Sequence, residues 1–253
     1  MTLPASAEPG IEIAGVTLTR GATPVFQGLS LSLREPRIGL IGDNGAGKSS
    51  RFRLICGLEA PASGTVSVCG CDVRTGRARL PGLVGLMFQN PDDQIVFPTV
   101  VEELAFSLSP ARLPRREARE RAREFLSARG LAGWADRAIE SLSQGQRQHV
   151  CLLAMLIAAP RVLLLDEPYA SLDLPGQAAL AADIGRAGQQ VLVSTHVLDH
   201  VRGFERVVWI ERGAVRDDGE GARVCAAYEA DVRARASQPA AGAAPVPLRA
   251  CRA

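Results

Sequence analysis

The most informative segment of this 253-residue sequence is a short apolar run followed by a glycine-rich turn, Ile38-Gly39-Leu40-Ile41-Gly42-Asp43-Asn44-Gly45-Ala46-Gly47-Lys48-Ser49-Ser50. The apolar run is typical of a buried parallel strand, and a helix is predicted over residues 48–56. Residues 42–49 fit the pattern G-x-x-x-x-G-K-[ST] in the strand–turn–helix context that this pattern requires. Its glycines let backbone N–H groups curl around phosphate oxygens, and the helix N-terminus adds positive potential. We therefore predict a phosphate-binding loop.

The lysine of this loop stands apart in the composition, because Lys48 is the only lysine among 29 basic side chains. A compact ammonium suits a point-charge site on the β- and γ-phosphates of a nucleotide better than a planar guanidinium does. The hydroxyl of Ser49 can ligate Mg²⁺. The alternative, a glycine-rich turn with a chance Lys-Ser pair, accounts neither for the single lysine nor for the context of the motif.

Two carboxylates, Asp166 and Glu167, directly follow four apolar residues (162–165) that are typical of a buried strand. Such a strand delivers its last residues to the carboxyl edge of the sheet, where α/β proteins bind ligands. Asp166 is predicted to hold Mg²⁺ through water, and Glu167 to polarise the attacking water as a general base. Alone the motif is weak, since many strands end in aspartate; a helix cap or a loop carboxylate is the alternative.

A second turn with anion-binding character reads Leu142-Ser143-Gln144-Gly145-Gln146-Arg147 and precedes a long apolar stretch, residues 150–159. Ser143 is predicted to be the N-cap of the helix that begins there. A Ser-x-Gly turn at a helix N-terminus can bind an anion without a lysine. An ordinary capped helix is the alternative.

Three further polar residues lie at the ends of predicted strands or in the loops that follow them: Gln89, Asp173 and His196. Taken singly, each is more often structural, as a loop amide, a turn aspartate or a hydrogen-bonded histidine. Taken together, they fall where a parallel sheet binds its ligands.

Hydrophobic periodicity predicts strands over residues 11–19, 29–33, 65–69, 83–88, 162–165, 191–194 and 207–210. Residues 99–159 are predicted to be almost wholly helical. Strands that alternate with helices around a helical insertion indicate an α/β core carrying an α-helical subdomain. From about residue 237 the chain is rich in Ala, Pro and Gly, and a disordered tail is predicted.

Composition argues against several classes of protein. A net charge of +2 and an aromatic content of 4% predict no nucleic-acid binding. No apolar run reaches the ~18 residues that a membrane span needs, and the N-terminus lacks the pattern of a signal peptide. The six cysteines form no C-x-x-C pair, so neither a metal site nor a redox site is expected from them.

The order of these motifs over residues 11–230 resembles that of the ATP-binding subunits of ABC transporters. The resemblance implies a P-loop NTPase (RecA-like) core with antiparallel β-strands at the N-terminus and an inserted α-helical subdomain. It implies one ABC ATPase domain over residues 1–236, with the core at 1–88 and 160–236 and the helical subdomain at 89–159, followed by a tail at 237–253. ATP and Mg²⁺ are the ligands that the family binds.

The resemblance also assigns a role to each residue of the motifs. The nucleotide phosphates would lie on Gly42, Asp43, Asn44, Gly45, Ala46, Gly47, Lys48, Ser49 and Ser50. Gln89 would sense Mg²⁺ and water, Asp166 and Ser49 would serve the metal, and Glu167 would be the catalytic base. His196 would contact the γ-phosphate, and Asp173 would couple two sites. The signature residues that would reach the γ-phosphate held by the opposite subunit are Ser143, Gly145 and Gln146.

Two positions depart from the family pattern. Gln144 stands where the family most often has glycine, and this difference implies a modest loss of backbone freedom in the signature turn. Arg20 stands where an aromatic residue usually stacks on adenine; a guanidinium can also stack on a base.

Within the family, residues 88–106 resemble the ATPases of energy-coupling-factor importers for vitamins and metal ions, and residues 194–200, 204–207 and 225–228 are most similar to biotin-importer ATPases. The implied partners are a second ABC ATPase subunit, expected as a homodimer, a transmembrane scaffold and a small substrate-binding membrane subunit, with no nucleic acid. The resemblance implies that the protein is located at the cytoplasmic face of the cell membrane. One alternative is the ATPase of an importer for cobalt, nickel or another vitamin than biotin, and a second is a soluble non-transport ABC ATPase. A third is a P-loop kinase or GTPase, but residues 143–147 would have no role in such a protein.

Overall fold

The computed structural model describes residues 10–21 and 23–237. Its strands are β1 (Ile11–Arg20), β2 (Thr23–Leu33), β3 (Arg37–Ile41), β4 (Ser63–Val68), β5 (Cys71–Asp72), β6 (Val84–Met87), β7 (Val162–Asp166), β8 (Gln190–Ser194), β9 (Arg206–Glu211) and β10 (Ala214–Gly219). Its helices are α1 (Lys48–Ile55), α2 (Val100–Ser107), α3 (Arg115–Ser127), α4 (Gln144–Ala158), α5 (Leu174–Arg186) and α6 (Gly221–Ser237). This order of elements confirms the predicted α/β class.

The central sheet has six strands in the order β10-β9-β3-β8-β7-β6. Strands β9, β3, β8, β7 and β6 run parallel, and β10 pairs with β9 in the antiparallel sense. Both β7 and β8 are buried along their whole length, as is typical of parallel strands that are covered on both faces. The register places Ser194 beside both Leu40 and Asp166, so the loops after β3, β7 and β8 leave the sheet at one edge.

A second sheet of four antiparallel strands, in the order β2-β1-β4-β5, confirms the antiparallel strands predicted for the N-terminal part. Ile11 and Val16 of β1 are buried in a hydrophobic cluster that also contains Leu54 of α1 and Leu164 of β7. Helix α1 is therefore packed against both sheets, and this packing fixes the turn that precedes it.

The helical block differs from the prediction that residues 99–159 are almost wholly helical, which is wrong. Only α2, α3 and α4 are α-helices there, and residues 128–143 contain short 3₁₀ turns. Pro110 and Pro114 lie between α2 and α3, and Gly130 (φ 72°) follows α3. Proline has no N–H to donate and a left-handed glycine ends a helix, so the block is divided. A separate hydrophobic cluster of buried residues is drawn wholly from residues 100–154, within the span 89–159 for which a helical subdomain is predicted.

The C-terminal part of the described chain contains two elements that the sequence patterns missed, β10 and α6. Arg212 and Gly213, with φ of 48° and 81°, form the two-residue turn between β9 and β10. Helix α6 includes Ser237, so the predicted tail does not begin there; the remainder of that tail, residues 238–253, lies outside the described residues. Of the helices within residues 10–21 and 23–237, none is long and apolar enough to cross a membrane.

Candidate functional site

The predicted phosphate loop lies between β3 and α1 and takes a shape that only glycine permits at two of its positions. Gly42 has φ 143°, and a Cβ atom there would lie 2.1 Å from the carbonyl oxygen of Ile210. Gly47 has φ 95°, and a Cβ atom there would lie 2.8 Å from the Phe26 ring. The loop is thus pressed against β9 on one side and against β2 on the other, which fixes its curvature at the start of α1.

The ammonium of Lys48 lies inside this loop and is 8% exposed. Its Nζ atom donates to the carbonyl oxygens of Gly42 (2.7 Å) and Asp43 (3.3 Å). Burial lowers the pKa of Lys48, and the carboxylates of Glu167 and Asp166 oppose that shift. The ammonium therefore already lies where a phosphate in the loop would meet it, and its bonds to the two carbonyl oxygens can be exchanged for phosphate oxygens.

Glu167 and His196, which follow the neighbouring strands β7 and β8, are in direct contact. The Nδ1 atom of His196 lies 2.8 Å from Oε2 of Glu167, and the backbone N–H of His196 donates to the same oxygen at 3.3 Å. The backbone N–H of Glu167 donates to the carbonyl oxygen of Ser194 at 2.8 Å. The side chain of Glu167 is 11% exposed and that of His196 is 61% exposed, so a largely buried carboxylate is paired with an imidazole that faces solvent.

One cavity of about 680 Å³ collects most of the predicted site. This volume falls in the range of about 300–1,000 Å³ that is typical of ligand pockets. The predicted residues that line it are Arg20, Gly42, Asp43, Asn44, Gly45, Ala46, Gly47, Lys48, Ser49, Ser50, Gln89, Asp166, Glu167 and His196. At its rim the guanidinium of Arg20 is paired with Glu59 and remains 53% exposed, so its face is accessible to a base.

The remaining four predicted residues, Ser143, Gly145, Gln146 and Asp173, line a different cavity of about 530 Å³. Ser143 caps α4 as predicted: its hydroxyl accepts from the N–H of Gln146 (3.2 Å), and Oε1 of Gln146 accepts from the N–H of Ser143 (3.1 Å). Asp173 caps α5 by accepting from the N–H of Gly176 at 2.9 Å. The chain therefore does not bring these residues to its own phosphate loop.

The residues predicted to serve Mg²⁺ fit that ion by the chemistry of their donor atoms. Ser49, Gln89 and Asp166 line the same cavity and offer hydroxyl, amide and carboxylate oxygens, the kind of ligand that Mg²⁺ takes. Across the described residues, no group of three or more His, Cys, Asp or Glu side chains could hold a metal ion by itself. An ion bound here would take the rest of its ligands from the phosphates, which is usual for Mg²⁺ in nucleotide sites.

Sequence patterns missed two side chains next to the phosphate loop. Tyr228 of α6 lines the cavity, but it lies far along the chain in a helix that periodicity did not reveal. Arg51 of α1 is 1% exposed, lies with its guanidinium carbon 4.4 Å from the centre of the Phe26 ring, and donates to the carbonyl oxygen of Gly213 at 2.9 Å. Burial lowers the pKa of Arg51 to about 9. An arginine on a short helix gives no sequence signal of burial.

Comparison with known proteins identifies the family. The model of the ABC transporter family matches residues 26–170. The biotin transport ATP-binding protein BioM of Rhodobacter capsulatus is 47% identical over 226 residues, which are 89% of this chain and 97% of that protein. The energy-coupling factor transporter ATP-binding protein EcfA of Methanocaldococcus jannaschii is 35% identical over 74% of this chain and 70% of its own length.

Among solved structures, that of cbiO1 from Clostridium perfringens, described as part of the ABC transporter complex cbiONQ, superimposes with a TM-score of 0.75. The two sequences are 26% identical, and the match covers 90% of this chain and 94% of that one. The described fold is therefore shared with a transporter subunit over almost its full length.

Proposed function

The chain belongs to the ABC transporter family as an ATP-binding and ATP-hydrolysing subunit, and we propose that it powers an energy-coupling-factor importer that takes up biotin. The observation that carries this proposal is the 47% identity to a biotin transport ATP-binding protein over nearly the whole of both chains. The 35% identity to an energy-coupling factor subunit supports the same class of importer.

The residues that line the cavity support a role in ATP hydrolysis. The backbone N–H groups of the loop and the ammonium of Lys48 would bind the β- and γ-phosphates. Mg²⁺, reached by the oxygens of Ser49, Gln89 and Asp166, would neutralise phosphate charge when bound. The carboxylate of Glu167 would take a proton from the attacking water, and the contact with His196 fixes the position of that carboxylate.

A second copy of the chain would complete each site. Ser143 and Gly145 line their own cavity, away from the phosphate loop. In a pair with two-fold symmetry, the N-terminus of α4 from one copy would meet the γ-phosphate bound by the other. Two nucleotides would then lie between the copies, and loss of the γ-phosphate would weaken the contact and let the pair open.

The surface formed by residues 90–103 would bind the transmembrane scaffold at the cytoplasmic face of the membrane. Val96 projects from it and is 72% exposed. Its backbone position is fixed from beneath, since buried Glu103 accepts from the N–H groups of Val96 and Phe97 at 2.9 Å each. Because Gln89 lies in the nucleotide cavity just before this surface, opening of the pair can be transmitted to the scaffold. A small membrane subunit would bind the transported substrate.

Uptake of labelled biotin tests the proposal in a bacterial strain without an importer of its own. We expect uptake when the chain is produced with its scaffold and substrate-binding subunits, and we expect none when Glu167→Gln replaces the wild type. Uptake of cobalt or nickel in place of biotin would assign the chain to a metal importer. A chain that never associates with the membrane subunits would instead be a soluble ABC ATPase.

A further inference from the structure

The carboxylate of Asp43, in the phosphate loop, is held by two side chains of the C-terminal helix α6. The hydroxyl of Tyr228 donates to Oδ1 of Asp43 at 2.8 Å. The guanidinium of Arg235 donates to both oxygens, from Nη1 to Oδ2 at 2.6 Å and from Nη2 to Oδ1 at 3.2 Å. The bonds from Arg235, followed by the bond from Tyr228, hold the pKa of Asp43 below its ordinary value. A bidentate pair of this kind fixes the direction of a carboxylate as well as its charge.

The two side chains are themselves held in place by β9 and β10. The ring of Tyr228 packs edge-on against Trp209, with centroids 5.2 Å apart. Asp231 forms ion pairs with Arg216 of β10 (2.7 Å) and with Arg235 (2.8 Å). Val224 and Cys225 on the same helix are fully buried. The groups that meet Asp43 are therefore oriented before any nucleotide binds.

The charge of Asp43 matters because this residue lines the same cavity as Lys48. An unpaired carboxylate at this position would repel the phosphates of a nucleotide and would compete for the ammonium. Pairing with the guanidinium of Arg235 cancels that charge and turns the carboxylate toward α6. The side chain of Asp43 is 48% exposed, so solvent screens part of the effect.

We propose that Arg235 and Tyr228 are positioning residues for nucleotide binding, which act through Asp43 by holding its carboxylate away from the phosphates and neutralising its charge. This inference rests on the assignment of the cavity as the ATP site. It makes the C-terminal helix a part of that site, although the helix lies almost 200 residues after the loop in sequence.

The test is the dissociation constant for ATP, measured by titration calorimetry on the full chain. Arg235→Gln is expected to raise the Kd by about two- to tenfold at low ionic strength, and by less at high ionic strength, where charges are screened. In the Asp43→Asn background, the same substitution is expected to change the Kd by less than about twofold, because the carboxylate that Arg235 neutralises is gone. Tyr228→Phe keeps the packing against Trp209 and should give a smaller increase.

Arg233→Gln is the matched control, since Arg233 lies on the same helix, is 80% exposed and pairs with Glu229 at 3.9 Å; its Kd should equal that of the wild type. An unchanged Kd in Arg235→Gln would overturn the inference, even with a lowered melting temperature. An equal rise in Kd when Arg235→Gln is made in the wild type and in the Asp43→Asn background would also overturn it. Arg235 would then act through the fold alone. A wild-type chain that binds no ATP would overturn this inference and the proposed function together.

Discussion

Glu167 has φ 48°, a left-handed conformation that costs a residue with a side chain about 1–3 kcal/mol. The bond from its N–H to the carbonyl oxygen of Ser194 at 2.8 Å holds this conformation. The chain therefore leaves the line of β7 directly after Asp166, and the carboxylate of Glu167 reaches His196 and faces the phosphate loop. Strain at the residue proposed as the base is the kind that a fold retains when the geometry serves a reaction.

Lys48 gives the sharpest prediction at the scale of one residue. Lys48→Arg should lower the rate of ATP hydrolysis at least about 100-fold, because a planar fork does not fit the space in which one ammonium meets two loop carbonyls. Steady-state phosphate release measures the rate, and the thermal melt should show that the variant is folded. A Lys48→Arg chain that hydrolyses ATP at the normal rate would contradict the assignment of the phosphate loop.

Among the elements, those with local signals could be predicted from the sequence. The turn after β3, the carboxylates after β7 and the cap of α4 each depend on residues that are adjacent in the chain, and the structure has the predicted turn, strand and helix cap there. Strand β10 was not predicted because it is an edge strand with charged residues, which interrupt the hydrophobic periodicity of a strand. Asp217 pairs with Arg223, and Asp218 pairs with Arg206. Helix α6 is held by contacts with residues far away in the chain, such as the ion pair of Arg235 with Asp43, which no window of sequence contains.

At the N-terminus of α4, one substitution can separate the capping role of Ser143 from its proposed contact with a phosphate. Ser143→Asp keeps an acceptor for the N–H of Gln146, and aspartate caps helices as well as serine does. The free energy of unfolding should stay within about 0.5 kcal/mol of the wild type. ATP hydrolysis should fall more than about tenfold, because a carboxylate repels the γ-phosphate of the opposite site. Urea unfolding measures the stability, and phosphate release measures the rate of hydrolysis. A normal rate would contradict the role on a phosphate and would mean that Ser143 only caps α4.

For the molecule as a whole, the central observation is that the predicted site residues fall into two cavities, one around Lys48 and one around Ser143. Each of these cavities would be one half of a nucleotide site. In a symmetric pair, the cavity around Lys48 of each copy would meet the cavity around Ser143 of the other. A symmetric pair uses the same surface twice, so two complete sites arise together.

The most direct measurement of this claim is ATP hydrolysis by a mixture of two impaired variants, Lys48→Ala and Ser143→Asp, compared with each variant alone. In a mixed pair, one site carries both changes and the other carries neither. With random pairing, half of the pairs are mixed, and each has one intact site, so roughly a quarter of the wild-type rate should return. Recovery on mixing is the result that sharing between two copies predicts. No recovery, with mixed pairs demonstrated by differently tagged chains, would contradict it.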